Sequence, residues 1–118
     1  MPVSAMPHYD VAIVRELARR RAAVLDRYRA PDAVVQNRLD LGAEAARALI
    51  VSVIAELNVA QFWKTDTGPQ WIPADVYGWM GRGCGWYVKL QVIGGRVCVL
   101  SFHPPERPFR TMGGEVIR

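Results

Sequence analysis

The apolar residues change period at Asn58, and that change constrains the fold more than any other feature of this 118-residue chain. Before it, Ala46, Leu49, Ile50, Val53, Ile54 and Leu57 fall at i, i+3, i+4 and i+7 spacings, the stripe of a core-facing helix that starts after the break Asp40-Leu41-Gly42. Beyond it, aromatic and β-branched residues rise, Gly and Pro punctuate, and alternation takes over. This predicts strands near 60–65, 74–79, 84–93 and 97–103. Upstream, Asp10 is placed to cap a first helix carrying Val14, Leu17, Val24 and Tyr28 near one face, and Pro31 suits the first turn of a second running through Val35 to Leu39. Helices first and strands second imply an α+β fold, with N-terminal helices packed on a small antiparallel sheet formed by the C-terminal half.

Hydrophobic residues make up 51% of the chain, enough for one core, and the length is too short for two ordinary domains. The expectation is a single domain over 1–118, with 1–7 a loose lead-in and 104–118 a C-terminal extension. Lys and Arg number 15 against 11 Asp and Glu, a formal charge of +4 that favours polyanionic partners. Arginine supplies most of the positive charge, and its planar fork suits phosphate better than an ammonium does. Arg15, Arg19, Arg20, Arg21, Arg27 and Arg29 line one side of the first helical pattern, where they are candidates to touch phosphates, although the plainer reading is a solvated face.

Cys84 and Cys98 have neither the number nor the spacing of a disulfide framework or a zinc site, so no metal and a reducing cytoplasm are expected. No signal-like segment opens the chain. Its longest apolar stretch, Ala48 to Ala55, is broken by Ser52 and too short to span a bilayer, so no membrane association is expected.

The most informative local feature is the hairpin from Tyr87 to His103. A two-residue Gly94-Gly95 turn pairs Val92 with Val97 and puts Cys98, Leu100 and Phe102 on the face of Tyr87, Lys89 and Gln91, mixing polar with apolar. A three-residue loop, Gly94-Gly95-Arg96, pairs Ile93 with Val97 and collects Val88, Leu90, Val92, Cys98, Leu100 and Phe102 on one apolar face. Burial favours this second register, because a slip of one residue flips every side chain. It sets Tyr87 opposite His103 and Lys89 opposite Ser101 on the polar face. Singly, a strand tyrosine is usually packing and a histidine usually a hydrogen-bonder; together, beside a lysine, they form a candidate site.

Five short motifs then occur in order: Pro7-His8-Tyr9-Asp10, Phe62-Trp63-Lys64, Asp75-Val76-Tyr77, Tyr87-Val88-Lys89 and Leu100-Ser101-Phe102. In order and approximate spacing, from about residue 7 to 103, they resemble the MqsR family of toxins from bacterial toxin–antitoxin pairs. The resemblance implies a RelE-like fold and an mRNA interferase, an endoribonuclease that cuts messenger RNA without metal or other cofactor and so inhibits translation and growth. Its implied partners are messenger RNA, a cognate antitoxin and, where cleavage is coupled to translation, the ribosome. Lys64 and Tyr87 match the family's functional lysine and strand tyrosine. Ala74 stands where the family has glutamine, with Gln70 a candidate to compensate, and His103 replaces the lysine that follows the serine and phenylalanine.

Metal-independent cleavage of RNA uses the substrate's own 2′-hydroxyl as nucleophile, so the protein must move two protons and stabilise a phosphorane. An imidazole ordinarily titrates near pH 6.5 and suits proton exchange, whereas amines and phenols, ordinarily near 10, suit donation and charge stabilisation. The expected roles are His103 as general acid or base, Lys64 as phosphorane clamp and Tyr87 as proton donor or orienting group. Lys89, Arg82 and Gln70 are candidates for binding RNA, and one or two of Trp63, Trp71, Trp79 and Trp86 for stacking on bases. His8 is given only a structural role. In the extension, Pro104, Pro105 and Pro108 predict a stiff start, and Gly113-Gly114 a mobile, partly disordered finish. Arg107 and Arg110 there either touch antitoxin or RNA or belong to a strap over apolar surface. The competing reading is a non-catalytic RNA- or antitoxin-binding protein of the same fold, and a third is a toxin with a target other than RNA.

Overall fold

The computed structural model describes residues 6–67 and 72–118. Gln70 and Trp71, both named above, lie outside the described residues. Helix α1 (Val11–Arg19) starts where expected, the Asp10 side chain accepting a hydrogen bond from the Ala12 backbone N–H. It stops earlier than expected. Arg21 takes a left-handed φ of 62°, and Ala23–Leu25 becomes a short strand, β1. Val24 and Tyr28 therefore do not continue the helix, and Tyr28 is exposed.

Helix α2 (Pro31–Leu39) has Pro31 in its first turn, where the missing N–H costs nothing. Helix α3 (Ala43–Ala55) buries Ala46, Ile50, Val53 and Ile54, the stripe read from the sequence. A 3₁₀ turn, Val59–Gln61, follows, opened by Asn58, whose side chain accepts from Ala60 N–H while Gln61 Oε1 accepts from Asn58 N–H.

Strands β2 (Phe62–Asp66), β3 (Ala74–Gly81), β4 (Cys84–Ile93) and β5 (Arg96–His103) form the antiparallel part of a five-stranded sheet of order β1-β5-β4-β3-β2. β1 joins it parallel to β5, so the sheet is mixed rather than antiparallel, and one strand comes from the N-terminal half. The reason is non-local: the edge of β5 offers Val97 N–H to Ala22 and Val99 C=O to Asp26 N–H, partners that helical periodicity cannot register.

Between β4 and β5 the structure combines both registers weighed from the sequence. At the turn end, Ile93 pairs with Arg96 and Val92 with Val97, around Gly94 and Gly95, whose φ of 58° and 73° suit a tight two-residue turn. Leu100 is then an extra residue, a β-bulge between the Leu90–Val99 and Lys89–Ser101 pairs. Past it, Val88 faces Phe102 and Tyr87 faces His103. The three-residue loop is thus corrected, and so is the expected apolar face: Val97 and Val99 are fully buried, while Cys98 and Leu100 are only half-buried.

The helices cover one face of the sheet, where Trp86, Val88, Leu90, Val97, Val99 and Phe102 join Val14, Val35, Ile50 and Ile54 in the core. The other face carries a second, two-stranded sheet of β6 (Phe109–Arg110) and β7 (Val116–Ile117). Residues 104–118 thus fold back onto the sheet through these two strands, the strap that was one of the two readings of the extension. Gly78 and Gly85 make this possible: a Cβ at Gly78 would sit 2.3 Å from Ile117 Cγ1, and one at Gly85 2.6 Å from Arg118 N. Met112 N–H to Phe62 C=O, Gly113 N–H to Ala60 C=O and Gly85 N–H to Arg118 C=O tie the segment down. Among the described residues no helix is long and apolar enough to cross a membrane.

Candidate active site

On the sheet face away from the helices, a cleft of about 420 Å³ is lined by Trp63, Lys64, Tyr87, Lys89, Ser101 and His103 from the main sheet. Arg29 lines it from the β1–α2 loop, and Pro105, Glu106, Arg107 and Phe109 from the C-terminal segment.

Each residue's position has a local cause. A strand sends successive side chains to opposite faces, so Trp63 and Lys64 should diverge. They do not, because the β2–β3 register shifts between Phe62 and Lys64: Phe62 pairs with Tyr77 and enters the core, Trp63 is the extra residue, and Lys64 pairs with Val76. Trp63 and Lys64 therefore line the same cleft, with Lys64 Nζ 4.4 Å from the centre of the Trp63 ring. Tyr87 and His103 meet because of the Leu100 bulge. Their rings stack with centroids 4.9 Å apart and planes 15° from parallel. Three candidates of the sequence reading, Lys64, Tyr87 and His103, thus share one cleft.

The electrostatics separate their chemistries. His103 Nδ1 lies 2.7 Å from the Pro104 carbonyl oxygen, which can only accept; Nδ1 therefore carries a proton and Nε2 is the nitrogen left for exchange. Burial pushes the Tyr87 phenol above its ordinary range; the Asp66 carboxylate adds to this, Arg29 opposes it, and Glu106 adds a little more. At neutral pH Tyr87 is a neutral donor. Lys64 is exposed and makes no ion pair among the described residues. Lys89 differs: its Nζ donates to Asp66 Oδ2 at 2.8 Å and only 12% of its side chain is exposed, so its charge is already matched. It lines the cleft but is poorly placed to meet a phosphate.

Arg82 is not brought to this site. It sits with Gly83 in the tight β3–β4 turn, both at positive φ, exposed and absent from the cleft wall. The tryptophans also divide. Trp86 is fully buried, its indole N–H donating to Gly81 C=O, and Trp79 packs beside it and Phe102. Trp63 has Phe109 stacked on it at 4.2 Å and Lys64 over it, so it is a wall of the cleft rather than an open platform for a base.

Two of the five motifs prove to be one structural device. Asp75 is fully buried, and its carboxylate accepts from His8 N–H (3.0 Å), Tyr9 N–H (2.8 Å) and Thr65 Oγ1–H (2.6 Å), while Tyr9 Oη–H donates to Pro73 C=O. Sequence reasoning left Pro105, Glu106 and Phe109 out of the site altogether, and it named Arg29 and Arg107 only as general phosphate or RNA contacts, without placing them beside Lys64, Tyr87 and His103. Only the stiff Pro104-Pro105 following His103 hinted that the tail stays beside it. Among the described residues there is no group of three or more His, Cys, Asp or Glu side chains that could hold a metal ion. No protein-family model matches the chain, and no curated protein matches it significantly.

Proposed function

We propose that this cleft cleaves single-stranded RNA by attack of the substrate's own 2′-oxygen, and that the chain is an mRNA interferase with a RelE-like fold, the toxin of a toxin–antitoxin pair. The observation that carries the reading is the stacked Tyr87–His103 pair in one cleft with the exposed amine of Lys64. The motif resemblance supplies the biological setting. The chemistry follows from the side chains.

His103 Nε2 accepts the 2′-hydroxyl proton. The 2′-oxygen then bonds to the adjacent phosphorus, and the bond from phosphorus to the 5′-oxygen breaks, leaving a 2′,3′-cyclic phosphate. The departing oxygen takes the proton of the Tyr87 phenol, a group that burial keeps protonated. Lys64, carrying an exposed positive charge with no carboxylate partner among the described residues, stabilises the charge that builds on the phosphorane. Ala74 is buried at the start of β3 and pairs with Asp66; it does not line the cleft, so the place of the family's glutamine contributes no group here.

The test is incubation of the purified protein with a defined single-stranded transcript in EDTA, with and without ribosomes. Fragments ending in cyclic phosphate are the expected result. Intact RNA that is nonetheless bound would instead fit a binding protein of the same fold, and growth arrest in cells whose transcripts stay whole would fit a target other than RNA.

A further inference from the structure

The cleft holds more positive charge than one scissile phosphate requires. A phosphodiester carries one negative charge, and Lys64 suffices to face it. Lys89 is matched by Asp66. Two guanidinium groups remain, Arg29 and Arg107, against the single carboxylate of Glu106.

The backbone that carries the exposed Arg107 is anchored on both sides. The segment 104–108 is fixed at one end by His103, whose Nδ1–H bonds to Pro104, and at the other by Phe109, which is stacked on Trp63 and meets the Tyr87 ring edge-on at 6.2 Å. Phe109 is only 7% exposed, and its strand partner Ile117 is fully buried against Gly78 and Gly85. Three prolines within 104–108 lower the freedom of the arch further. Arg29 is set in a turn whose backbone is also fixed, its N–H donating to Asp26 Oδ2 at 2.8 Å.

We propose that the C-terminal segment is a built wall of the substrate cleft, and that Arg107 on it, with Arg29 from the β1–α2 loop, binds backbone phosphates neighbouring the scissile one. The ligand class is then a single-stranded polyribonucleotide with phosphates flanking the cut, rather than a mononucleotide or an isolated dinucleotide. A guanidinium fork matches phosphate oxygens two at a time, and each phosphate so neutralised releases counterions from a single strand. This inference rests on the RNA-cleaving reading of the same cleft.

The experiment is fluorescence anisotropy with a 2′-O-methyl single-stranded oligonucleotide, which cannot be cleaved, titrated over a range of salt concentrations. Wild type is compared with Arg29→Gln, Arg107→Gln and, as a control, Arg38→Gln, an exposed α2 residue outside the cleft. Each cleft substitution is expected to weaken binding about five- to tenfold and to lower the log–log salt slope by about 0.7, with Arg38→Gln matching wild type. A second series shortens the oligonucleotide to a dinucleotide with one phosphate, on which the effect of both substitutions should vanish. If wild type binds and cleaves RNA but neither cleft substitution changes affinity or slope, the two-arginine assignment is overturned and the nuclease reading stands. Equal weakening by Arg38→Gln overturns it as well, by showing a general charge effect. A wild type that neither binds nor cleaves RNA removes the nuclease reading itself.

Discussion

The main sheet carries two polar clusters on opposite faces, one centred on Asp75 of β3 and the other on Tyr87, His103 and Lys64 of β4, β5 and β2, and the fold puts them to opposite ends. On the helix face, the Asp75 carboxylate accepts from two backbone N–H groups and one hydroxyl, all at 2.6–3.0 Å, and is sealed from water. On the cleft face, His103 has one nitrogen bonded to a carbonyl and the other left for exchange, and Lys64 lies exposed over an indole. A saturated cluster holds the chain together; an unsaturated one has bonding capacity left for a ligand. The lesson is that a motif residue's role is read from how many of its bonds the fold has already spent.

The largest effect that would test this contrast is Asp75→Ala. It orphans three donors at a sealed site and should destabilise the protein by about 3–5 kcal/mol in urea unfolding, with activity falling only in step with the folded fraction. A loss below about 1 kcal/mol would mean that the anchor is not structural. Next come Lys64→Ala and His103→Ala, each expected to slow cleavage about a hundredfold, roughly 2.7 kcal/mol on the barrier, while leaving the unfolding midpoint nearly unchanged. Near-normal rates in both would dissolve the distinction between the faces.

Gly85→Ala probes the join between them. Its Cβ would meet Arg118 backbone 2.6 Å away, so a loss of about 1–3 kcal/mol and a weaker hold on the C-terminal wall are expected, seen as faster hydrogen exchange of the backbone amide at position 85 than in wild type. The smallest effect belongs to Tyr77, whose buried hydroxyl has no hydrogen-bond partner among the described residues. Tyr77→Phe should be neutral or stabilising by about 1 kcal/mol at pH 7. Burial, with Asp75 and then Asp10 adding to it, pushes the Tyr77 phenol well above 10. Because its folded value is the higher one, stability is intact below about pH 10 and is lost as pH rises beyond it, and the substitution should flatten that alkaline loss.

Much of the frame was legible because its causes are local. Asp10, Pro31 and the apolar stripe of α3 announce three helices by capping and period, and the β4–β5 hairpin announces itself by two glycines between alternating runs. β1 was not legible, since Ala23-Val24-Leu25 reads equally well as helix until β5 offers its edge. The C-terminal hairpin was hidden for a related reason: its Pro- and Gly-rich sequence reads as loose, and its place on the sheet comes from Ile117 filling the space above two distant glycines. Within the site, the Tyr87–His103 neighbourhood followed from strand pairing, whereas the convergence of Arg29 and Arg107 on that same cleft depends on tertiary contacts, so their charge was legible but their meeting place was not.

The surplus residue at position 100 gives β5 slack. Because the pairs on its two sides follow different offsets, losing one residue between Val99 and Phe102 would leave Val99 beside Leu90 and the imidazole beside the phenol, the kink simply straightening. β4 has no matching reserve between Cys84 and Lys89, where a one-residue deletion would throw the phenol to the wrong side. Length variation in this hairpin should therefore be tolerated on one arm and punished on the other.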